Sequence, residues 1–268
     1  MKSEKERKIL FFDIDGTLLT APPKSRIPDS TLQALKEAHE NGHLLFINSG
    51  RTWAMLPPAV KELDFDGYVC GCGSQIYLNG KSIHYSTLPH DLCVQTVQMV
   101  QDCKVSAFFE CKDRILYNTS GRVHKAINQM KDRLPTADIA EFDEEEAASY
   151  TFDKFLVFLD PDSDSERFMT FCKEHFSLFN HQNDVWEITQ KNCSKGTAID
   201  VLLKHFGMSL EDSFAFGDSH NDLPMLQYAG NSIAMGNSDP EILPFCTWQT
   251  TDIEDNGIRN ALLHFGLI

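Results

Sequence analysis

Ile9 to Phe12 is a run of four apolar residues without polar alternation, and it leads directly into Asp13-Ile14-Asp15-Gly16-Thr17. A strand with one wet face alternates apolar and polar side chains, so an unbroken run reads as a parallel strand buried on both faces. Residues two apart on an extended chain point the same way, which brings Asp13 and Asp15 out together where the strand ends. Two carboxylates at the edge of a hydrophobic sheet repel each other, and desolvation makes this worse. A fold tolerates such a pair mainly when a cation or a reaction uses it. Taken alone, the same residues describe a solvated Asx-type turn equally well. The rest of the chain decides between the two.

Further runs of the same kind recur between helical patterns. Pro28-Asp29 reads as a helix start, with Leu32, Leu35 and Ala38 at helical spacing and Gly42 as its stop. A strand over Leu44–Ile47 follows, then a helix from Trp53 to Leu63 and a strand at Tyr68–Cys70. This alternation predicts a parallel sheet with right-handed crossovers and helices on both faces. From about Leu88 the texture changes. A helix over Asp91–Asp102 precedes a hairpin, Val105–Glu110 into Ile115–Tyr117, and a helix from Arg122 to Leu134. An acidic loop at Glu141–Glu146 is followed by a strand at Lys154–Leu159, a helix from Ser165 to His175, and strands near Ser177–Phe179 and Val185–Thr189. Alternation then resumes: Ser194 caps a helix with Ile199, Leu202, Leu203 and Phe206 on one face, and Gly207 stops it. A strand at Phe214–Phe216, a helix at Leu223–Tyr228 and a strand at Ser232–Met235 follow. The expected fold is α/β, a doubly wound, Rossmann-like parallel-sheet core formed by residues 1–87 and 192–268, with a second α+β domain inserted over 88–191.

At 268 residues the chain is long for one core and comfortable for two domains. Its net charge of -15 argues against nucleic acid, whose binding rests on basic patches. The same charge means that an anionic substrate has to be drawn in by local Lys, Arg or metal. No segment has the apolar length of a membrane span. The basic start, Met1 to Lys8, is followed by only four apolar residues, too few for the core of a signal peptide, so a cytoplasmic protein is expected. The 8 cysteines are scattered, and Cys70-Gly71-Cys72 is their one close pair. Reduced core thiols fit this better than a zinc or redox site, which usually shows paired C-x-x-C spacing. No feature marks an oligomeric state.

Three later stretches join Asp13-Ile14-Asp15-Gly16-Thr17 in a fixed order. Asn48-Ser49-Gly50-Arg51 follows the second apolar run, Lys195-Gly196 opens a helix, and Gly217-Asp218-Ser219-His220-Asn221-Asp222 follows the run Ser213 to Phe216. In order and approximate spacing these resemble the four motifs of haloacid dehalogenase-like phosphatases. Asp222-Leu223-Pro224-Met225-Leu226 and Ala234-Met235-Gly236-Asn237 resemble the Cof-type sugar-phosphatase branch, whose members carry a large α/β cap at the place of the insertion. In a doubly wound sheet ligands sit beyond the carboxyl ends of the strands, at the switch point. Asp13, Asp15, Ser49 and Asp218 each stand just past such an end.

The resemblance implies roles. Asp13 is the nucleophile that forms a phosphoaspartyl intermediate, and Asp15 the acid and base for the leaving oxygen and the water. Mg²⁺ is held by Asp13 and Asp218, by the backbone carbonyl of Asp15, and by Asp222 near or behind them. Ser49 and the Gly50 amide bind a phosphate oxygen, and Asn221 assists at the same pole. Lys195 stands in a first helical turn, where the macrodipole disfavours a cation by about 0.3–1 kcal/mol. A local conflict of that kind marks functional sites, and phosphate binds well at helix N-termini. Thr17 reads equally as a turn residue, His220 as incidental, and Arg51 is left open between substrate and a core carboxylate. One departure stands out: where the branch has an Asn-Gly pair after the third strand, this chain has Cys72-Gly73-Ser74. The expected activity is Mg²⁺-dependent hydrolysis of small phosphorylated metabolites, with sugar phosphates favoured. A phosphomutase or phosphotransferase using the same intermediate is the alternative, and a non-catalytic phosphometabolite-binding regulator is a third reading.

Overall fold

The computed structural model describes residues 7–118, 123–134, 137–143, 149–180 and 185–268. Residues 1–6, and residues 144–146 of the acidic loop, lie outside this set. From the N-terminus the chain forms β1 (Ile9–Phe12), α1 (Asp29–Glu40), β2 (Leu44–Asn48), the short helix α2 (Pro58–Lys61) and β3 (Gly67–Cys70), then a hairpin of β4 (Gln75–Leu78) and β5 (Lys81–Tyr85). Next come α3 (His90–Asp102), β6 (Ser106–Glu110), β7 (Arg114–Tyr117), α4 (Val123–Arg133), β8 (Asp138–Glu141), β9 (Lys154–Phe158), α5 (Ser165–His175), β10 (Phe176–Asn180) and β11 (Val185–Gln190). The chain ends with α6 (Lys195–Phe206), β12 (Ser213–Gly217), α7 (Leu223–Tyr228), β13 (Asn231–Ala234), β14 (Trp248–Gln249) and α8 (Gly257–His264).

Two compact units result. The first comprises Met1–Gly50, Leu63–His84 and Ser194–Ile268. Its sheet runs β14-β13-β12-β1-β2-β3-β4-β5, parallel from β14 to β3 and antiparallel where β4 joins. Every residue of β1, β2 and β12 is buried, as unalternating runs require. Side chains two apart share a face: Ile9, Phe11, Leu44 and Phe46 pack on Ile199, Leu202 and Leu203 of α6 and Met225 and Leu226 of α7. Phe12, on the other face, stacks on Phe216 at 4.6 Å, and Phe214 meets Phe265, just past α8, edge-on. The chain leaves β1 toward β2 and β3 on one side and later returns through β12, β13 and β14 on the other. The switch point of this doubly wound sheet therefore lies between β1 and β12.

The second unit comprises Arg51–Glu62 and Tyr85–Cys193. Its six strands run β10-β11-β9-β6-β7-β8, antiparallel except for the β7–β8 pair. Phe109, Phe155, Val157 and Ile188 bury one face under α3 and α5, and Phe108, Ile115 and Tyr117 on the other cover Ile127 of α4, Leu134 and Met55. Among these apolar layers sits a charged group: Lys154 bonds Glu187 and lies 3.4 Å from Glu110, whose second oxygen accepts from Thr52 at 3.1 Å. All four residues are buried.

Several local expectations are corrected. Residues 51–62 group with the second unit, held by Met55 and by the Thr52–Glu110 bond. They form no single helix: Pro57-Pro58 splits the stretch into a short turn at Trp53–Met55 and α2. In α1 the buried face is Thr31, Ala34, Leu35 and Ala38, while Leu32 is 42% exposed. The β4–β5 hairpin and β8 were not expected. Asn79-Gly80 signals the hairpin, and both residues have positive φ, 47° and 73°. Among the described residues no helix is long and apolar enough to cross a membrane, and none of the eight cysteines forms a disulfide.

Candidate active site

β1 ends at Phe12, and Asp13 continues its line: the Asp13 amide donates to the Phe216 carbonyl of β12 at 3.0 Å. Its side chain is thereby placed at the switch point, 5% exposed. The chain then folds back sharply, with the Leu18 and Leu19 amides both bonding the Ile14 carbonyl and Gly16 bonding Leu19. This turn separates the two carboxylates of the opening motif. Asp13 is buried and Asp15 is exposed.

Gly16 has φ +85°, and a Cβ there would stand 2.2 Å from Asp218 Oδ2. The turn therefore needs glycine both for its backbone angle and for the approach of Asp218. Thr17 donates to Asp218 Oδ1 at 3.3 Å, so it helps aim that carboxylate. Asn237 donates to the Gly16 carbonyl at 2.8 Å and accepts from the Ile253 amide, tying the same turn to the loop after β13. Neither contact was expected. Sequence signals for them were present only as neighbouring motif residues without an assigned partner.

Lys195 is the first residue of α6, whose capping box pairs Ser194 with Thr197. Its side chain is 1% exposed. Its ammonium donates to Asp13 Oδ1 and to Asp222 Oδ1, each at 2.5 Å. Asp222 is wholly buried, and its Oδ2 accepts from the amides of Asp218 and Ser219 at 2.9 and 3.1 Å. It thus orients both the lysine and the loop that carries Asp218. Gly217 leaves room for it, since a Cβ there would meet Asp222 at 2.7 Å. Ser49, at the end of β2, is buried with Gly50 beside it, and its amide bonds the Val69 carbonyl. Asn221 accepts from the Ser219 hydroxyl. His220 pairs with Glu241 at the surface, and Arg51 donates to the Met55 carbonyl within the second unit.

One oxygen from each of Asp13, Asp218 and Asp222 falls within 4.8 Å of the others. Among the described residues Lys195 is the one ammonium bonded to this trio, so negative charge is in excess. Burial, with the Asp222 charge beside it, raises the Asp13 carboxyl to about 7 despite the lysine. Burial and the charges of Asp222 and Asp13 push Asp218 up to about 8. Burial works against the Lys195 ammonium, yet its two carboxylate partners hold it above the ordinary lysine range. Concentrated carboxylates that resist ionisation suit a hard divalent cation, which takes oxygen donors and offsets their repulsion.

The family profile described as haloacid dehalogenase-like hydrolase matches residues 10–262, and the chain belongs to that family, in its Cof-type branch. It is 27% identical to the pyridoxal phosphate phosphatase YbhA of Escherichia coli K12, over 88% of this chain and 90% of that one. It is 26% identical to an HMP-PP phosphatase of Serratia proteamaculans, over 88% and 86%. The solved structure of the subclass IIB sugar phosphatase BT4131 superposes with a TM-score of 0.83 at 29% identity, covering 97% of this chain and all of that one. Family membership, with similarity along most of the chain to proteins named as phosphatases, makes this a phosphoric monoester hydrolase.

Proposed function

We propose that the protein is a Mg²⁺-dependent phosphatase of small phosphorylated metabolites, sugar phosphates foremost, acting through a phosphoaspartate on Asp13. The observation that carries this reading is the Asp13–Lys195–Asp222 chain of 2.5 Å bonds beside Asp218, at the switch point of the sheet. The names of the similar proteins support the substrate class: pyridoxal phosphate, HMP-PP and sugar phosphates are all small phosphorylated metabolites.

Asp13 and Asp218 would hold the Mg²⁺ together with the Asp15 carbonyl, and Asp222 would align them. Bound there, the cation would screen the repulsion between the Asp13 carboxylate and the phosphate dianion. Asp13 attacks phosphorus, an Asp–O–P bond forms, and the bond to the leaving oxygen breaks. Asp15 gives its proton to that oxygen. Its exposed position lets it then take a proton from the water that attacks the same phosphorus and frees phosphate. Lys195 neutralises charge on the transferring group, and the Ser49 hydroxyl, the Gly50 amide and Asn221 hold its other oxygens.

The test is phosphate release from an aryl phosphate and a panel of metabolite phosphates, with Mg²⁺ and with chelator. Release is expected with Mg²⁺ and no added acceptor, and sugar phosphates should rank highest. Release only when an acceptor sugar is supplied would replace this reading with a phosphotransferase.

A further inference from the structure

Asn48 ends β2 and is fully buried, and its Nδ2 donates to the backbone carbonyl of Lys195 at 2.9 Å. β1 and β2 pair in parallel with Phe12 opposite Ile47, so Asn48, the last residue of β2, stands level with Asp13, the residue after β1. Asp13 holds the Lys195 ammonium while Asn48, one strand over, holds the same residue's carbonyl. A carbonyl oxygen has two lone pairs, and the helical bond to the fourth residue on needs only one. The amide of Asn48 is therefore not required to build α6. It does not complete its own bonding either: Asn48 Oδ1 is buried without a hydrogen-bond partner among the described residues, an arrangement that costs stability. A half-satisfied amide kept in an apolar strand beside the site has the character of a functional device.

A second contact fixes the same helix end. Gly73 packs so closely on Ser194 that a Cβ would stand 2.3 Å from the Ser194 carbonyl oxygen, and the Cys72 amide bonds the Ser49 carbonyl. The start of α6 is thus packed at Ser194 and tied at Lys195.

We propose that Asn48 is a positioning residue for the phosphoryl-transfer step: its amide fixes the backbone of Lys195, and so the reach of the ammonium to Asp13. The inference rests on the phosphatase reading for its kinetic part and on geometry alone for its structural part. Misplacing a catalytic group by about 1 Å lowers turnover on the order of 100-fold, and that loss falls on kcat because substrate contacts are retained.

The experiment compares wild type, Asn48→Ala, Lys195→Ala and the double variant of the full chain, with p-nitrophenyl phosphate and Mg²⁺. Asn48→Ala is expected to lower kcat by about 10- to 100-fold with little change in KM. The double variant is expected to match Lys195→Ala, since no ammonium remains to be placed. Losses that multiply in the double variant, or an unchanged kcat in Asn48→Ala, overturn the proposal. A crystal structure of Asn48→Ala reads the geometry without turnover: a displaced Lys195 ammonium supports the proposal, and one still on Asp13 contradicts it. No turnover by wild type would overturn the phosphatase reading instead, and the crystal structure still decides Asn48. If Asn48→Ala does not fold, Asn48→Ser, which keeps a shorter donor, is measured in the same ways against the same outcomes.

Discussion

At the scale of single residues the site is a charge problem solved in part. Three carboxylates and one ammonium are packed at the switch point, and Asp13 and Asp218 are raised from 3.8 to about 7 and about 8. In the metal-free chain the folded state holds protons between about pH 4 and 8 that the unfolded state has released. The folded state therefore binds more protons in that window, and stability falls as pH rises through it. A cation bound to the ionised carboxylates reverses the trend, so Mg²⁺ is expected to raise Tm more at pH 8 than at pH 5. A Mg²⁺ shift of equal size at both values, read by thermal unfolding, would contradict this electrostatic account. Cys72 makes a second case. Its φ is +55°, a left-handed conformation costing an ordinary side chain about 1–2 kcal/mol and asparagine less. Cys72→Asn is expected to stabilise the fold by about 1 kcal/mol, seen as a raised denaturant midpoint, and a lowered midpoint would show that Cys72 packing outweighs the strain.

At the scale of elements, what could be read in advance follows how local the signal is. α5 and α7 are where capping and periodicity put them, because Asp164 caps one and Pro224 opens the other. β1, β2 and β12 were legible as buried runs. The stretch after Arg51 was not, since the turn at Trp53–Met55 depends on Met55 entering the Phe108 layer, a contact distant in sequence. In α1, Leu32 matches the helical period but faces water, since a period alone does not set the phase of the buried face. The site divides the same way. The carboxylates and Lys195 carried motif signals with roles, but Asn48 stood in its motif without one, because its partner is a backbone atom 147 residues away. Lys154, Glu110 and Glu187 sat inside ordinary strands and became a charged group only when β6, β9 and β11 paired. Removing one member of such a group leaves buried charge uncompensated. Lys154→Met is expected to destabilise the fold by about 3–5 kcal/mol, and a denaturant titration showing a change within about 1 kcal/mol would assign the triad no structural weight.

At the scale of the whole molecule, two units share one chain that crosses between them at Gly50, Glu62, His84 and Cys193. The candidate site residues concentrate in the first unit, at the ends of β1, β2 and β12 and the start of α6. The net charge of -15 offers no general attraction for an anionic substrate. Binding then depends on backbone amides and on the cation that the carboxylates would hold. The central claim is that Asp13 carries the phosphoryl group, and the direct measurement is the intact mass of enzyme acid-quenched during turnover of an aryl phosphate with Mg²⁺. The account predicts a fraction of chains heavier by one phosphoryl group, mapped to Asp13 and absent from Asp13→Asn. Full turnover by Asp13→Asn, or a phosphoryl group mapped to another residue, would contradict it.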